Sequence, residues 1–173
     1  MALLLNALAD VCALAAEDSL VNIAPLARVS CEPAAERESA ARATDGNPGS
    51  GLVFAVGSQG EGSVTLTFDA PRRIQKIRVL QGQPAYHSTA YRLLADKDGD
   101  GAFETTLADA KDSTPWGEWA EFTFALVEVR AVRFQSVAGK SEGRRAHPVV
   151  NELAVYGLAT AQVIQEMMRM GTR

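Results

Sequence analysis

Ala43-Thr44-Asp45-Gly46-Asn47-Pro48-Gly49-Ser50 carries two turn signals in immediate succession. In Asp45-Gly46 and Asn47-Pro48-Gly49, glycine and asparagine accept left-handed backbone angles and proline fixes its own φ. The same stretch places three hard oxygen donors close together: the Asp45 carboxylate, the Asn47 amide and the Ser50 hydroxyl. Ca²⁺ takes such donors readily, provided a further carboxylate arrives from elsewhere in the chain. Glu152, in Val149-Val150-Asn151-Glu152-Leu153-Ala154-Val155-Tyr156-Gly157, is the candidate. Taken alone, the stretch has the plainer reading of a solvated double turn. Taken with Glu152, it predicts an ion that ties an early turn to a late strand.

Outward from the turn, the chain reads as short strands. Val64, Leu66 and Phe68 alternate with hydroxyl residues in Ser63-Val64-Thr65-Leu66-Thr67-Phe68, the period-two mark of a strand with one wet face. Ile74-Gln75-Lys76-Ile77-Arg78-Val79-Leu80 is the next strand, ended by Gly82 and Pro84. Pro25 and Pro33 bound a first strand near 27–32, and 34–43 reads as a loop leading into the Asp45 turn. Segments 91–95 and 103–107 flank Asp96-Lys97-Asp98-Gly99-Asp100-Gly101 and read as a hairpin. Further strands are expected at 122–124, 132–134 and 150–156. Short strands divided by Gly, Pro and Asp turns, with no long central helix, mean a sandwich or a barrel.

A resemblance narrows the choice. Asn22-Ile23-Ala24-Pro25-Leu26-Ala27-Arg28-Val29-Ser30 resembles the opening of discoidin, or coagulation-factor 5/8 type C, domains, which include the family 32 carbohydrate-binding modules. Ala43-Thr44-Asp45-Gly46 is similar to that family's "A-x-D-G" calcium turn, and Tyr91-Arg92-Leu93-Leu94-Ala95 to its central strand. Ala131-Val132-Arg133-Phe134 is similar to its "R-Y-V-R-hydrophobe" strand, and Glu152 to Gly157 to its closing "E-hydrophobe-x-V-Y-G". The resemblance covers residues 22–157. It implies an all-β jelly-roll β-sandwich of the galactose-binding-like kind, a binding module and not an enzyme. It also implies Ca²⁺ held by Asp45, Asn47, Ser50 and Glu152, with nearby backbone carbonyls completing the shell.

The flanks differ from the centre. Leu4, Leu8, Val11 and Ala15 recur at helical spacing, with Leu5 and Cys12 adjoining. No Lys or Arg precedes this run, and Asn6 and Asp10 interrupt it, so it reads as a short amphipathic helix in preference to a signal peptide. It is too short and too polar to span a membrane. After Gly157, Val163, Ile164, Met167 and Met168 form an apolar stripe opposite Gln162, Gln165, Glu166 and Arg169, a second amphipathic helix. The expected division is residues 1–21 as an N-terminal helix, 22–157 as the sandwich and 158–173 as a C-terminal helix. Val163, Met167 and Met168 are expected to be buried, as are Leu4, Leu8 and Val11, against the sandwich or another chain.

Length and charge set limits. At 173 residues the chain makes one ordinary domain, and a net charge of −4 argues against nucleic acid as its partner. Cys12 and Cys31 are too few for a disulfide scaffold and lack metal-site spacing; one bridge or two buried thiols both remain open. His87 and His147, the two histidines, have no zinc spacing. No serine sits in a nucleophile elbow, and no glycine-rich loop has a dinucleotide or P-loop pattern. Asp96, Asp98 and Asp100 begin like an EF-hand loop, but Leu107 stands where its bidentate Glu belongs. That turn reads as a second, weaker calcium site or as a metal-free acidic tip.

A sugar site needs an aromatic platform and planar polar side chains. Tyr86, His87, Trp116, Arg144, Arg145 and His147 are the candidates, on loops expected at one end of the sandwich. Trp119 is the alternative platform, its plainer role a half-buried strand residue. The two arginines point to an acidic sugar or another anion, because guanidinium forks match carboxylates. The expected function is a non-catalytic, calcium-stabilised carbohydrate-binding module outside the cell or on a particle surface. The alternative is a structural or host-recognition component of a larger assembly, a virion or a cell-surface layer, docked or self-associated through its terminal helices.

Overall fold

The computed structural model describes residues 19–34, 40–53, 61–83, 86–111, 114–139 and 149–171. The expected helix with Leu4, Leu8, Val11 and Cys12 lies outside them, as do Arg144, Arg145 and His147. The described strands are β1 (Leu20–Asn22), β2 (Arg28–Glu32), β3 (Leu52–Val53), β4 (Gly62–Gln81), β5 (Ser88–Asp96), β6 (Thr105–Lys111), β7 (Ala120–Gly139) and β8 (Val149–Leu158). A helix, α1 (Ala161–Gly171), follows β8.

The period-two residues behave as the sequence requires. Val64, Leu66 and Phe68 are buried, while Thr65 and Thr67 between them stay partly wet. The two strands expected at 63–68 and 74–80, however, are halves of one 20-residue strand, β4. The strands expected at 122–124 and 132–134 are likewise joined in β7. β4 and β7 pair antiparallel along their length, from Gly62↔Ser136 to Val79↔Ala120.

Register is lost between Thr67 and Arg72, where Phe68 to Pro71 on β4 stand against Arg130 alone on β7. Surplus residues on one strand bend it and increase its twist. Pro71, which has no N–H to give to a ladder, falls inside this gap and breaks no bond. The ribbon folds over here, so that each strand serves two sheets. One sheet holds β2, the early half of β4, the late half of β7, β5 and β6. The other holds the early half of β7, the late half of β4 and β8, with β1 and β3 paired to opposite ends of β8. Strands that switch sheets at a bulge are how sandwich corners are made. The result is the expected all-β jelly-roll β-sandwich.

The core lies between the layers. Ile23, Leu52, Ile77, Leu93, Leu153 and Val155 are fully buried there. Tyr91 stacks on Phe134 with ring centroids 4.9 Å apart and meets Phe122 edge-on at 6.0 Å. The opening motif has a local reason as well. The Asn22 Oδ1 accepts the N–H of Ala24 and that of Val155, both at 3.1 Å. This fixes the short turn Ala24–Leu26 against β8, and Pro25 occupies a first-turn position that lacks a hydrogen bond in any case.

The C-terminal helix packs on the ribbon's corner. Val163 enters the core and Met167 packs partly against it, as expected. Met168 differs from expectation: it is 68% exposed, because the apolar stripe of α1 is wider than the sandwich covers. Arg72, at the corner and only 6% exposed, pairs with Glu166 of α1. Removing one partner of a buried pair leaves an uncompensated charge, which costs more than the pair contributes. Glu166→Gln is expected to lower stability by about 3 kcal/mol. Arg72→Met with Glu166→Leu should recover most of the loss in a denaturant titration, whereas a double variant no more stable than the single would show that the pair is not what holds α1.

Candidate functional site

The Asp45 turn closes on itself and on β8. Asp45 Oδ1 accepts the Asn47 N–H at 2.8 Å and Oδ2 accepts the Ser50 hydroxyl at 2.8 Å. The Asn47 side-chain oxygen accepts the Gly49 N–H at 3.0 Å. Glu152 arrives from β8, 3% exposed, and its Oε1 accepts the Gly46 N–H at 3.3 Å. Its Oε2 is buried and has no hydrogen-bond partner. Burial pushes the Glu152 carboxyl up to about 7; the Gly46 N–H opposes this, and the Asp45 charge adds to it.

The fold therefore brings Asp45 and Glu152 together from distant parts of the chain, with Asn47 and Ser50 on the same turn. A buried carboxylate oxygen without a donor, within the field of a second carboxylate, is a group that a proton or a cation would stabilise. The donors are all oxygen, which suits a hard cation.

The second acidic turn is satisfied differently. Asp96, Asp98 and Asp100 offer carboxylate oxygens within 4.8 Å of one another. Asp96 is buried, and its two oxygens accept the N–H groups of Gly99 at 2.7 Å and Gly101 at 3.0 Å. Asp98 and Asp100 accept the N–H groups of Asp100 and Ala102 in the same manner. These are the side-chain-to-backbone bonds that hold an Asx-type turn without metal.

Of the expected sugar-site residues, the described ones converge. Trp116 lies in a turn closed by Glu118 N–H to Pro115 O at 3.1 Å, with Gly117 at φ 82. That geometry turns the indole outward, 65% exposed. Tyr86, 47% exposed, shares with it an open cleft of about 530 Å³ whose other wall is Pro48 to Gly51 of the Asp45 turn. His87 lines an adjoining recess with Trp116 and Glu118. Trp119 is not in the cleft; it lies under the Arg78 guanidinium at 4.5 Å, on the face of a sheet.

Residues that the sequence reading did not single out build the cleft floor. A Cβ on Gly82 would stand 2.7 Å from the Val149 Cβ, and one on Gly51 would stand 2.8 Å from the Asn151 Oδ1. At Gly82 the obstacle is the Val149 Cβ, which is fixed to its backbone and cannot move aside, whereas at Gly51 it is the ends of the Asn151 and Val149 side chains. Asn151 donates its Nδ2 to the Pro48 carbonyl at 3.0 Å, holding the turn from the cleft side. The signal in sequence was slight: single glycines beside strand ends, and an asparagine inside a strand pattern.

The Glu152 shift has a sign that can be measured. Its carboxyl is raised from 4.5 to about 7 on folding, so the folded chain holds a proton that the unfolded chain has lost between those values. In cation-free buffer, stability from this group is fully present below pH 4.5 and is lost as the pH rises through about 7. The loss is on the order of 3 kcal/mol. Glu152→Gln should flatten that part of the stability–pH curve; an unchanged slope would place the titration elsewhere.

No protein-family model matches the chain, and no curated protein matches it. Solved structures do match it. A family 32 carbohydrate-binding module from Clostridium perfringens NanJ, in complex with galactose, superposes with a TM-score of 0.65 at 18% identity, covering 80% of this chain and 99% of that one. A chitosan-binding module from a Paenibacillus sp. IK-5 chitosanase/glucanase gives 0.62 at 18%, covering 79% and 99%. The family 32 module of AlyQ, in complex with 4,5-unsaturated mannuronic acid, gives 0.60 at 15%, covering 74% and 92%. The chain has the discoidin-like, galactose-binding-like fold of these modules.

Proposed function

We propose that this chain is a non-catalytic carbohydrate-binding module, acting outside the cell or on a particle surface, whose glycan site is the cleft beside Trp116 and Tyr86. The observation that carries this reading is the pair of outward aromatic rings on an open, largely apolar cleft at the loop end of this sandwich, with Ser50, Gln83 and Asn151 among its few polar residues. A pyranose offers C–H groups to such rings and hydroxyls to the walls. The solved neighbours hold or are named for a neutral, an amino and an acidic sugar, so the fold leaves the sugar's charge open. Arg144, Arg145 and His147 precede Val149 of the cleft floor, and in this reading they turn preference toward an acidic glycan. Among the described residues, no helix is long and apolar enough to cross a membrane.

Calcium belongs to the same proposal. Asp45, Asn47, Ser50 and Glu152 would hold it, and the orphaned Glu152 Oε2 supports the assignment. The ion supplies the positive charge that this buried carboxylate lacks. It also fixes the turn whose far side walls the cleft. Asp96, Asp98 and Asp100 are proposed as the weaker second site.

A glycan array with and without chelator tests the whole reading: binding to uronic-acid glycans, weakened by EDTA, is expected, and an array silent in both conditions would remove it. Trp116→Ala should reduce affinity roughly tenfold to thirtyfold, as for a hot-spot aromatic, and leave the melting temperature unchanged. For the ion, Ca²⁺ at a hundredfold excess over its Kd should stabilise the fold by about 2.7 kcal/mol. Coincident melting curves in EDTA and in millimolar Ca²⁺ would remove the cation from the proposal while leaving the cleft.

A further inference from the structure

The sheet built from β2, β4, β7, β5 and β6 carries a second groove, which shares no lining residue with the Trp116 cleft. Its volume is about 700 Å³, and Glu32, Glu61, Ser63, Arg92, Arg133 and Gln135 line it. Strand register explains the gathering. Glu32 pairs with Ser63, Ser63 with Gln135 and Gln135 with Arg92, so one row crosses four strands. Arg133 stands two residues from Gln135 on β7 and therefore shares its face. The neighbours Val64, Leu93 and Phe134 point into the core, which leaves this row on the outside of the sandwich.

The donors of the row are fixed but unspent. Phe103 lies under the Arg133 guanidinium, with its ring centroid 3.8 Å from Cζ, and Arg133 Nε donates to Thr65 Oγ1 at 3.0 Å. These contacts set the plane of the fork and leave its terminal nitrogens over. Among the described residues, neither those nitrogens nor the Gln135 amide has a hydrogen-bond partner. Arg92 gives its Nε to Asp109 at 3.3 Å, and at 49% exposure its own terminal nitrogens stay open to solvent. Two guanidinium forks beside an amide match the planar oxygens of a carboxylate. A fork already held in place costs a ligand less to engage.

The opposite rim decides what carries that carboxylate. Glu32 and Glu61 are exposed there, and Glu32 lies three strands from Arg92, roughly 14 Å away. They accept protons from hydroxyl groups and repel a second negative charge. An acidic peptide or a nucleic acid, which repeats its charge along the chain, meets that repulsion. A sugar with one carboxylate and several hydroxyls satisfies both rims. We propose that this outer sheet face is a second saccharide site, taking a uronic acid with its carboxylate on Arg133, Arg92 and Gln135. The site stands whether or not the Trp116 cleft binds glycan.

Nitrogen-15 NMR of the full chain tests it, in a Trp116→Ala background that disables the cleft. D-glucuronate is expected to shift the amides of Ser63, Arg92 and Gln135 with saturation, while D-glucose at the same concentrations leaves them in place. Arg133→Gln should weaken the glucuronate response at least tenfold. Should that variant unfold for want of its Phe103 and Thr65 contacts, Gln135→Ala serves instead, since its side chain bonds no described residue, and a several-fold loss is expected. Glucuronate shifts confined to Gly51 and Gly82 of the cleft, or an unaltered response in Gln135→Ala, would overturn the site. Tetra-aspartate acting on the same amides at lower concentration than glucuronate would overturn the sugar in favour of an acidic peptide.

Discussion

The structure depends on one folded ribbon. β4 and β7 pair on both sides of the bulge at Phe68 to Pro71, which bends them so that their halves face each other across the core. Both sheets are therefore anchored to the same two strands. A sandwich built this way cannot lose one sheet and keep the other. Phe68, Ile74 and Val129 are all buried around the bend, so the corner is packed and not merely turned. Arg72 sits at that corner with few solvent contacts, which is why the α1 carboxylate matters to the fold as well as to the helix.

The same ribbon positions the candidate site. β4 ends at Gln81, β7 begins at Ala120, and β8 begins at Val149, all near one rim. Gln81 spends its side chain there on the backbone of Ser88, giving one bond and taking one, and so pins the start of β5. The rim is thereby rigid where the strands meet, and the Trp116 turn projects from it. Strands commit alternate side chains to the core, which leaves loops to carry recognition.

Asn151 and Glu152 grip the Asp45 turn from two sides. Neighbouring residues of a strand face opposite ways, so Asn151 reaches Pro48 beside the cleft while Glu152 reaches Gly46 from the interior. The interior contact is the strained one in electrostatic terms, because an exposed Asp45 and a buried Glu152 share a small space. In the calcium reading proposed above, the ion offsets this cost more effectively than a proton does above neutral pH.

The sequence by itself determined what depends on near neighbours. Alternation at Val64 to Phe68 predicts a strand with one dry face, since side-chain period is a property of the extended backbone. The double turn at Asp45, the hairpin around Asp96 to Gly101 and the stripe of α1 are legible for the same reason. Their hydrogen bonds or packing faces lie within a few residues. The resemblance to discoidin domains supplied the jelly roll, through motifs spread over residues 22–157. Tertiary structure decided the rest. Pro71 reads locally as a strand breaker, and only the pairing with β7 that resumes at Arg72↔Val129 shows that β4 continues beyond it. β1, three residues long, has too little pattern to detect and exists because β8 offers it an edge. The burial of Glu152, the separation of Trp116 from Trp119, and the glycines under the cleft all depend on which backbones meet. Contacts of that kind join residues far apart in the chain, and no local period encodes them.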